Sequence, residues 1–132
     1  MSRYVLDTNT VSHLLRKHPV MSKHVVQQPR ASLCISDITE AELLFGLAKR
    51  PDAKQLHLAV YEFLRRVEVL QWDSAAAEHY AATRASMEKH GKNLAPLDML
   101  IGSHARSLKL ILMTKDKAFS HVADLQIEDW TV

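Results

Sequence analysis

Short apolar runs alternate along the chain with longer stretches that carry apolar residues at helical spacing. The runs 4–6, 33–35 and 110–113 are apolar throughout and end at polar residues, which predicts buried strands. Further strands are predicted at 67–70 and near 126–127, and helices from about residue 8 and over about 38–48, 52–66, 74–90, 96–108 and 117–122. Apolar strands that alternate with helices predict an α/β fold, with a central, mainly parallel β-sheet flanked by helices on both faces.

Composition narrows the class of protein without naming a function. The 132 residues are 47% hydrophobic and 24% charged, and we find no repeat or linker, so one domain over 1–132 is expected. No apolar run approaches the ~20 residues of a membrane span and no signal-peptide core is present, so we expect a cytoplasmic protein without a membrane partner. The single cysteine, Cys34, excludes an intrachain disulfide and a thiolate zinc cluster. A net charge of +2 neither demands nor excludes a nucleic-acid partner.

Polar residues follow three of the predicted strands, and ligands of open parallel sheets bind beyond the carboxyl ends of strands. The three segments are Asp7-Thr8-Asn9, Ser36-Asp37 and Thr114-Lys115-Asp116. Asp7 and Asp116 could each simply cap the helix that follows. Asp37 and Glu40 resemble a capping box, so we assign them no chemistry.

Two further acids stand among apolar residues. The stripe Ile38, Ala41, Phe45 and Ala48 places Glu42 on or beside the buried face of its helix. Asp98 falls in the first turn after Pro96, between apolar neighbours, and Gly102 one turn later suggests a close approach of backbones. A sheltered carboxylate is costly unless it is paired or bound to a metal.

If Asp7, Glu42, Asp98 and Asp116 converge, their repulsion needs a counter-charge. Two carboxylates ~4 Å apart repel by about 4 kcal/mol at an effective dielectric constant near 20, so the cluster needs a cation or shared protons. Hard oxygen ligands favour Mg²⁺ or Mn²⁺ over zinc, and such ions usually complete their shells with water and phosphate oxygens. The pattern therefore indicates phosphoryl chemistry. The eight histidines share no spacing and are expected at surface or helix-packing positions.

Four motifs in order carry a family resemblance. They are the N-terminal Tyr-Val-Leu-Asp7-Thr8-Asn9, the segment from Ile35 to Gly46 (ISDITEAELLFG), the stretch from Pro96 to Ala105 (PLDMLIGSHA), and Met113-Thr114-Lys115-Asp116 through Phe119, followed by a Glu128-Asp129-Trp130 ending. In this order and spacing they resemble the PIN-domain ribonucleases, and among these the VapC toxins of bacterial toxin–antitoxin pairs. The resemblance covers essentially the whole chain.

The resemblance implies a PIN-like fold and a metal-dependent endoribonuclease. Asp7, Glu42, Asp98 and Asp116 would bind one or two Mg²⁺ or Mn²⁺ ions, with Asp116 the least essential. Supporting or substrate-contacting residues would be Thr8, Asn9, Ser36, Thr114 and Lys115. Relatives cut structured RNA, several of them tRNA and notably the initiator tRNA in its anticodon region, which would inhibit translation. The resemblance also implies a VapB-type antitoxin and a homodimer or higher assembly. Candidate phosphate contacts are Arg16-Lys17, Lys49-Arg50, Arg84, Lys89, Lys92 and Lys115.

Two alternatives belong to other classes. A phosphatase of the haloacid-dehalogenase type would want an Asp two residues after Asp7, where Asn9 stands, and a receiver domain would want acidic neighbours before its first site. Neither pattern is met. A non-catalytic RNA- or protein-binding module on the same fold stays open, and an Asp7→Asn substitution distinguishes it, because a binder tolerates that change.

Overall fold

The computed structural model describes residues 3–17 and 19–132, which build one parallel sheet and the helices that cover it. The strands are β1 (Tyr4–Leu6), β2 (Leu33–Ser36), β3 (Glu68–Leu70), β4 (Ile111–Met113) and β5 (Ile127–Glu128), arranged β3-β2-β1-β4-β5. The helices are α1 (Thr8–Leu15), α2 (Pro19–Val26), α3 (Asp37–Ala48), α4 (Lys54–Arg66), α5 (Ser74–Lys89) and α6 (Pro96–Leu108), with 3₁₀ helices at Arg30–Ser32 and Lys117–His121. The predicted α/β class is confirmed.

Both faces of the sheet are buried, as the apolar strands predict. On one face Val5, Cys34 and Leu112 pack against α6 and against Phe119 of the second 3₁₀ helix. On the other face the next residue of each central strand packs against helices α1 to α4; these residues are Leu6, Ile35 and Met113. Helix α5 packs on α6 as an outer layer. This alternation of neighbouring side chains is the period of two expected of a strand.

The order of the strands creates the place where a ligand site is expected. The chain builds β1, β2 and β3 outward in one direction and then β4 and β5 in the other, so the direction of winding changes between β1 and β4. In open parallel sheets this is the point at which a crevice forms beyond the carboxyl ends of the strands. Asp7 follows β1 and Thr114 follows β4 at that point, while Ser36 ends the neighbouring β2. We call this end of the sheet its carboxyl edge.

The structure corrects the prediction for α3 in two ways. Its buried residues are Thr39, Leu43 and Leu47, whereas Phe45 of the predicted stripe is 62% exposed. The capping prediction is also wrong, because Ser36 is the N-cap and accepts a hydrogen bond from the Ile38 amide. The wrong choice of stripe has a physical cause. A helix with apolar residues on two faces offers a choice of stripes, and the sequence alone does not say which stripe meets the sheet.

Three smaller points complete the fold. Helix α2 has no counterpart among the predicted elements. Within residues 3–17 and 19–132 no helix has both the length and the apolar character required to cross a membrane. His18, one of the eight histidines considered above, lies outside the described residues.

Candidate active site

Asp7 is fixed between β1 and α1. Its backbone amide donates to the Met113 carbonyl at 3.1 Å, and its Oδ1 atom accepts from the Thr10 amide at 2.8 Å, so the side chain caps α1. The Thr10 hydroxyl donates to the same Met113 carbonyl at 2.9 Å, which ties α1 to β4. The carboxylate is nearly fully buried. The predicted capping role is therefore real, and it leaves the Oδ2 atom for another partner.

Glu42 is held toward Asp7 by the residue that follows Asp7 in the chain. The Thr8 hydroxyl donates to Glu42 Oε1 at 2.5 Å, and its oxygen lies 3.3 Å from the buried Thr39 hydroxyl oxygen. A bond between a hydroxyl and a carboxylate is of the stronger, charge-assisted kind. Glu42 itself is half-buried beside the buried face of α3. The predicted supporting role of Thr8 thus has a defined contact.

Asp98 lies across a cleft from Glu42. The cleft measures about 390 Å³ and is lined by Thr8, Asn9, Glu42 and the first residues of α6 with their N-cap, Ala95, Pro96, Leu97 and Asp98. We call it the acidic cleft. Helix α6 sits tightly on its neighbours, because a Cβ atom at Gly102 would lie 3.2 Å from the Phe119 ring. The close approach predicted at Gly102 is therefore to a side chain rather than to a backbone.

Asp116 belongs to a neighbouring recess. Its Oδ1 atom accepts from the Ala118 amide at 2.9 Å and caps the 3₁₀ helix that carries Phe119, while the Thr114 hydroxyl accepts from the Asp116 amide at 3.0 Å. The recess measures about 250 Å³; its lining residues are Thr114, Lys115, Asp116, Lys117, Ile127, Glu128 and Asp129. Asp116 thus lines a recess that shares no residue with the acidic cleft, with exposed Lys115 next to it.

The electrostatics connect all four carboxylates. The pKa of Asp98 is raised from 3.8 to about 6, mostly by burial and then, in decreasing order, by the negative charges of Asp7, Asp116 and Glu42. Each of the other three acids is therefore close enough to disfavour ionisation of Asp98. A half-buried carboxylate on which the charges of three others act is typical of a site that a cation completes.

The residues present fit a hard divalent ion. The donors are carboxylate oxygens, and the pKa of Asp98 is raised by burial and, after it, by repulsion from the other acids, which positive charge would relieve. Over the described part of the chain, no three His, Cys, Asp or Glu side chains are gathered around one point that could hold an ion. A Mg²⁺ ion commonly takes one or two carboxylates and keeps several waters. The pair of carboxylates that lines the acidic cleft, Glu42 and Asp98, suffices for such a site.

One buried contact behind the acidic cleft was not predicted. His104 on α6 is almost fully buried, and its Nδ1 atom lies 2.7 Å from the Ser36 hydroxyl oxygen. Burial lowers the pKa of His104, while the charges of Asp37 and Asp73 and the Gln71 backbone oppose this. His104 does occupy a helix-packing position, but its sequence pattern carries no signal for the bond to Ser36.

The predicted phosphate-contacting residues differ in whether they line a cavity next to the acidic cleft. Arg16, Lys49 and Arg50 line a cleft of about 440 Å³ that shares Thr8 and Glu42 with the acidic cleft. Arg84 and Lys92 line a recess of about 500 Å³ that meets the acidic cleft at Pro96. Lys17 and Lys89 are exposed and line neither of these two cavities. Positive charge thus flanks the acids on two sides.

This combination of fold and acids defines a class. The chain has a parallel sheet with carboxylates grouped beyond its carboxyl edge. Its sequence matches the PIN domain over residues 4–125, so the chain belongs to the PIN-domain family. Within that family its sequence is similar to those of the VapC ribonucleases. It is 35% identical to the tRNA(fMet)-specific endonuclease VapC of Shigella flexneri over 99% of this chain and 100% of that one. It is 34% identical to ribonuclease VapC2 of Haemophilus influenzae over 98% and 99% of the two chains.

A solved structure agrees with these sequence relatives. The chain is similar to the DNA-bound VapBC complex of Salmonella typhimurium, with a TM-score of 0.90 and 32% identity over 98% of this chain and 99% of that one. The family resemblance read from the four motifs is confirmed. The phosphatase and receiver alternatives are thereby set aside.

Proposed function

We propose that this chain is the toxin of a type II toxin–antitoxin pair and acts as a Mg²⁺- or Mn²⁺-dependent endoribonuclease. Its substrate would be structured RNA, with the anticodon region of the initiator tRNA as the target. One observation carries the proposal: Glu42 and Asp98 line one cleft, where the pKa of Asp98 is raised by burial and by three other carboxylates from different segments of the chain. The name of the Shigella flexneri relative supports the choice of tRNA.

Glu42 and Asp98, which line the acidic cleft, would bind the metal ion, and Asp7 and Asp116 would complete its shell, directly or through bound water. When bound, the ion supplies a Lewis acid for the phosphate and lowers the pKa of a coordinated water. Asp7 is immobilised by its own capping bond, and Glu42 by Thr8, so two of the acids need little reorganisation to bind a cation. Asn9 and Lys115 are exposed at the two recesses and could contact the RNA backbone.

The flanking positive charge would bring the RNA to an acidic site. Uncompensated carboxylates repel a polyanion, and arginine or lysine residues near the acids offset that repulsion. Arg16, Lys49 and Arg50 stand on one side of the acidic cleft, and Arg84 and Lys92 on the other. A strand of RNA that crosses the cleft would meet both groups.

The test is cleavage of purified tRNA by the antitoxin-free protein in Mg²⁺ or Mn²⁺, with EDTA as the metal-free reference. Initiator tRNA and elongator methionine tRNA should be compared, because both are methionine tRNAs and only the first is the proposed target. Discrete fragments that end in the anticodon region of the initiator tRNA are expected. Intact RNA under every condition, with RNA binding retained, would favour the non-catalytic binding module.

The structure offers a clean loss-of-charge variant. Asn is as good an N-cap as Asp, so Asp7→Asn keeps the bond to the Thr10 amide and removes only the negative charge. We expect Asp7→Asn to abolish cleavage without lowering the melting temperature. Asp52→Asn is the matched control, because Asp52 is exposed in the turn before α4. Asp116→Asn should reduce the rate less than Asp7→Asn.

Partners follow from the same proposal. We propose that a VapB-type antitoxin covers the site, because the matched Salmonella typhimurium structure is a VapBC complex.

We also propose that the chain acts as one unit over 1–132 and pairs with a second copy through helical faces. Phe45, Leu58 and Tyr61 are more than half exposed on α3 and α4, which supports such a face. The buried, unpaired Cys34 is consistent with work in the cytoplasm.

A further inference from the structure

The bond between His104 and Ser36 joins the two helices that carry Glu42 and Asp98. Ser36 is the N-cap of α3 and precedes Glu42 by six residues, while His104 follows Asp98 on α6 by six residues. Six helical residues span about 9 Å. Because Glu42 and Asp98 line one cleft while Ser36 and His104 touch, the two helices run in opposite directions past each other. Helices α3 and α6 therefore meet at two places along their length. One is the cleft lined by Glu42 and Asp98, and the other is the bond between Ser36 and His104.

The hydrogen bonds around Ser36 bear on which atom donates in its bond to His104. The Ser36 hydroxyl oxygen accepts from the Ile38 amide at 3.1 Å, and its proton can be donated to His104 Nδ1, 2.7 Å away, when that nitrogen carries no proton. The ring is then neutral and carries its proton on Nε2, which is buried and makes no full hydrogen bond to a described residue. An apolar ring in this place would leave the Ser36 proton buried without an acceptor.

We propose that His104 is a positioning residue for the metal site: its bond to Ser36 sets the spacing between α3 and α6 and thereby the distance between Glu42 and Asp98. This inference rests on the proposed metal-dependent function. Bonds behind a metal ligand commonly change metal affinity or activity by 10- to 100-fold when they are removed. Unlike the acids, His104 touches neither the metal nor the RNA in this proposal.

The test compares three substitutions at one position. His104→Phe keeps a ring and removes both nitrogens, His104→Asn keeps a polar atom near Nδ1, and His104→Gln keeps one near Nε2. The control is Ile101→Val, a change in a fully buried residue of the same helix that packs in the apolar cluster with β-strand residues. Mn²⁺ affinity is measured on the RNA-free protein by calorimetry, and kcat and KM on initiator tRNA at a temperature where every variant is folded.

We expect His104→Phe to raise the Mn²⁺ dissociation constant about tenfold and to lower kcat ten- to a hundredfold, with KM within about twofold of the wild type. His104→Asn should recover most of both losses, whereas His104→Gln should not. Ile101→Val should lower the melting temperature alone. The pattern of rescue separates positioning from packing, because a packing role depends on volume and not on which nitrogen is replaced.

Two results overturn the inference. If His104→Phe behaves like Ile101→Val and changes only the melting temperature, His104 is a packing residue. If His104→Asn and His104→Gln are equally impaired in Mn²⁺ affinity, the Nδ1 bond is not what matters. A wild-type protein that binds Mn²⁺ but cleaves no tRNA refutes the proposed activity and still allows the Mn²⁺ measurement to decide the role of His104.

Discussion

Replacing Asp98 by Asn should make the metal-free protein more stable. The pKa of Asp98 rises from 3.8 to about 6 on folding, because burial and the charges of Asp7, Asp116 and Glu42 disfavour its ionised form. A pKa difference of one corresponds to about 1.4 kcal/mol, so the full rise would cost at most about 3 kcal/mol at neutral pH. Water screens a half-buried group, and we therefore expect a gain of about 1–2 kcal/mol from Asp98→Asn.

The sign of the pH dependence follows from the direction of the shift. Between about pH 4 and pH 6 the folded protein holds a proton on Asp98 that the unfolded chain has released, so wild-type stability falls as the pH rises through this window. Below it, both states are protonated and the penalty vanishes. The advantage of Asp98→Asn should thus be complete above about pH 6 and shrink toward zero near pH 4.

Thermal melting in EDTA measures this directly. For a chain of this length, we expect Asp98→Asn to raise the melting temperature by about 3–8 °C at pH 7.5 and by little at pH 4.5. Mn²⁺ should narrow or reverse the difference, because a ligand bound by the folded wild type stabilises it. Asp52→Asn, which removes an exposed charge, should show no such pattern. An Asp98→Asn variant without a stability gain, or with a gain independent of pH, would refute the proposed repulsion among the acids.

Three further predictions concern the rest of the molecule. Trp130 is buried against Tyr4 with ring centroids 4.8 Å apart, so Trp130→Ala should cost about 3–5 kcal/mol in urea unfolding, and a loss below about 1 kcal/mol would contradict this packing. Burial raises the pKa of Cys34 to about 11, so Ellman's reagent should label no thiol in the folded protein and one in urea. Phe45→Glu should weaken self-association in light scattering at an unchanged melting temperature, since Phe45 is 62% exposed; an unchanged molar mass would place the dimer contact elsewhere.

Strand positions and the carboxyl edge could be predicted because apolar runs and the polar residues after them are local features. Tyr4–Leu6 is followed by Asp7 and Ile111–Met113 by Thr114, and parallel pairing then puts both polar segments at one edge. The strand order was not predictable in this way. Nothing local to a three-residue strand says that β1 pairs with both β2 and β4, although that pairing is what brings Asp7 beside the segment of Asp116.

The faces of α3 were the hardest to predict, and the reason is physical. Helix α3 carries Leu43 and Leu47 toward the sheet and Leu44 and Phe45 toward solvent, so its periodicity supports two opposite orientations. Glu42 lies beside the buried face in either orientation. It is therefore sheltered, as predicted, although the predicted stripe is wrong. The bond from Ser36 to His104 adds a tertiary contact at the start of this helix. It joins residues 68 positions apart, and such a contact leaves no pattern in the sequence around either of them.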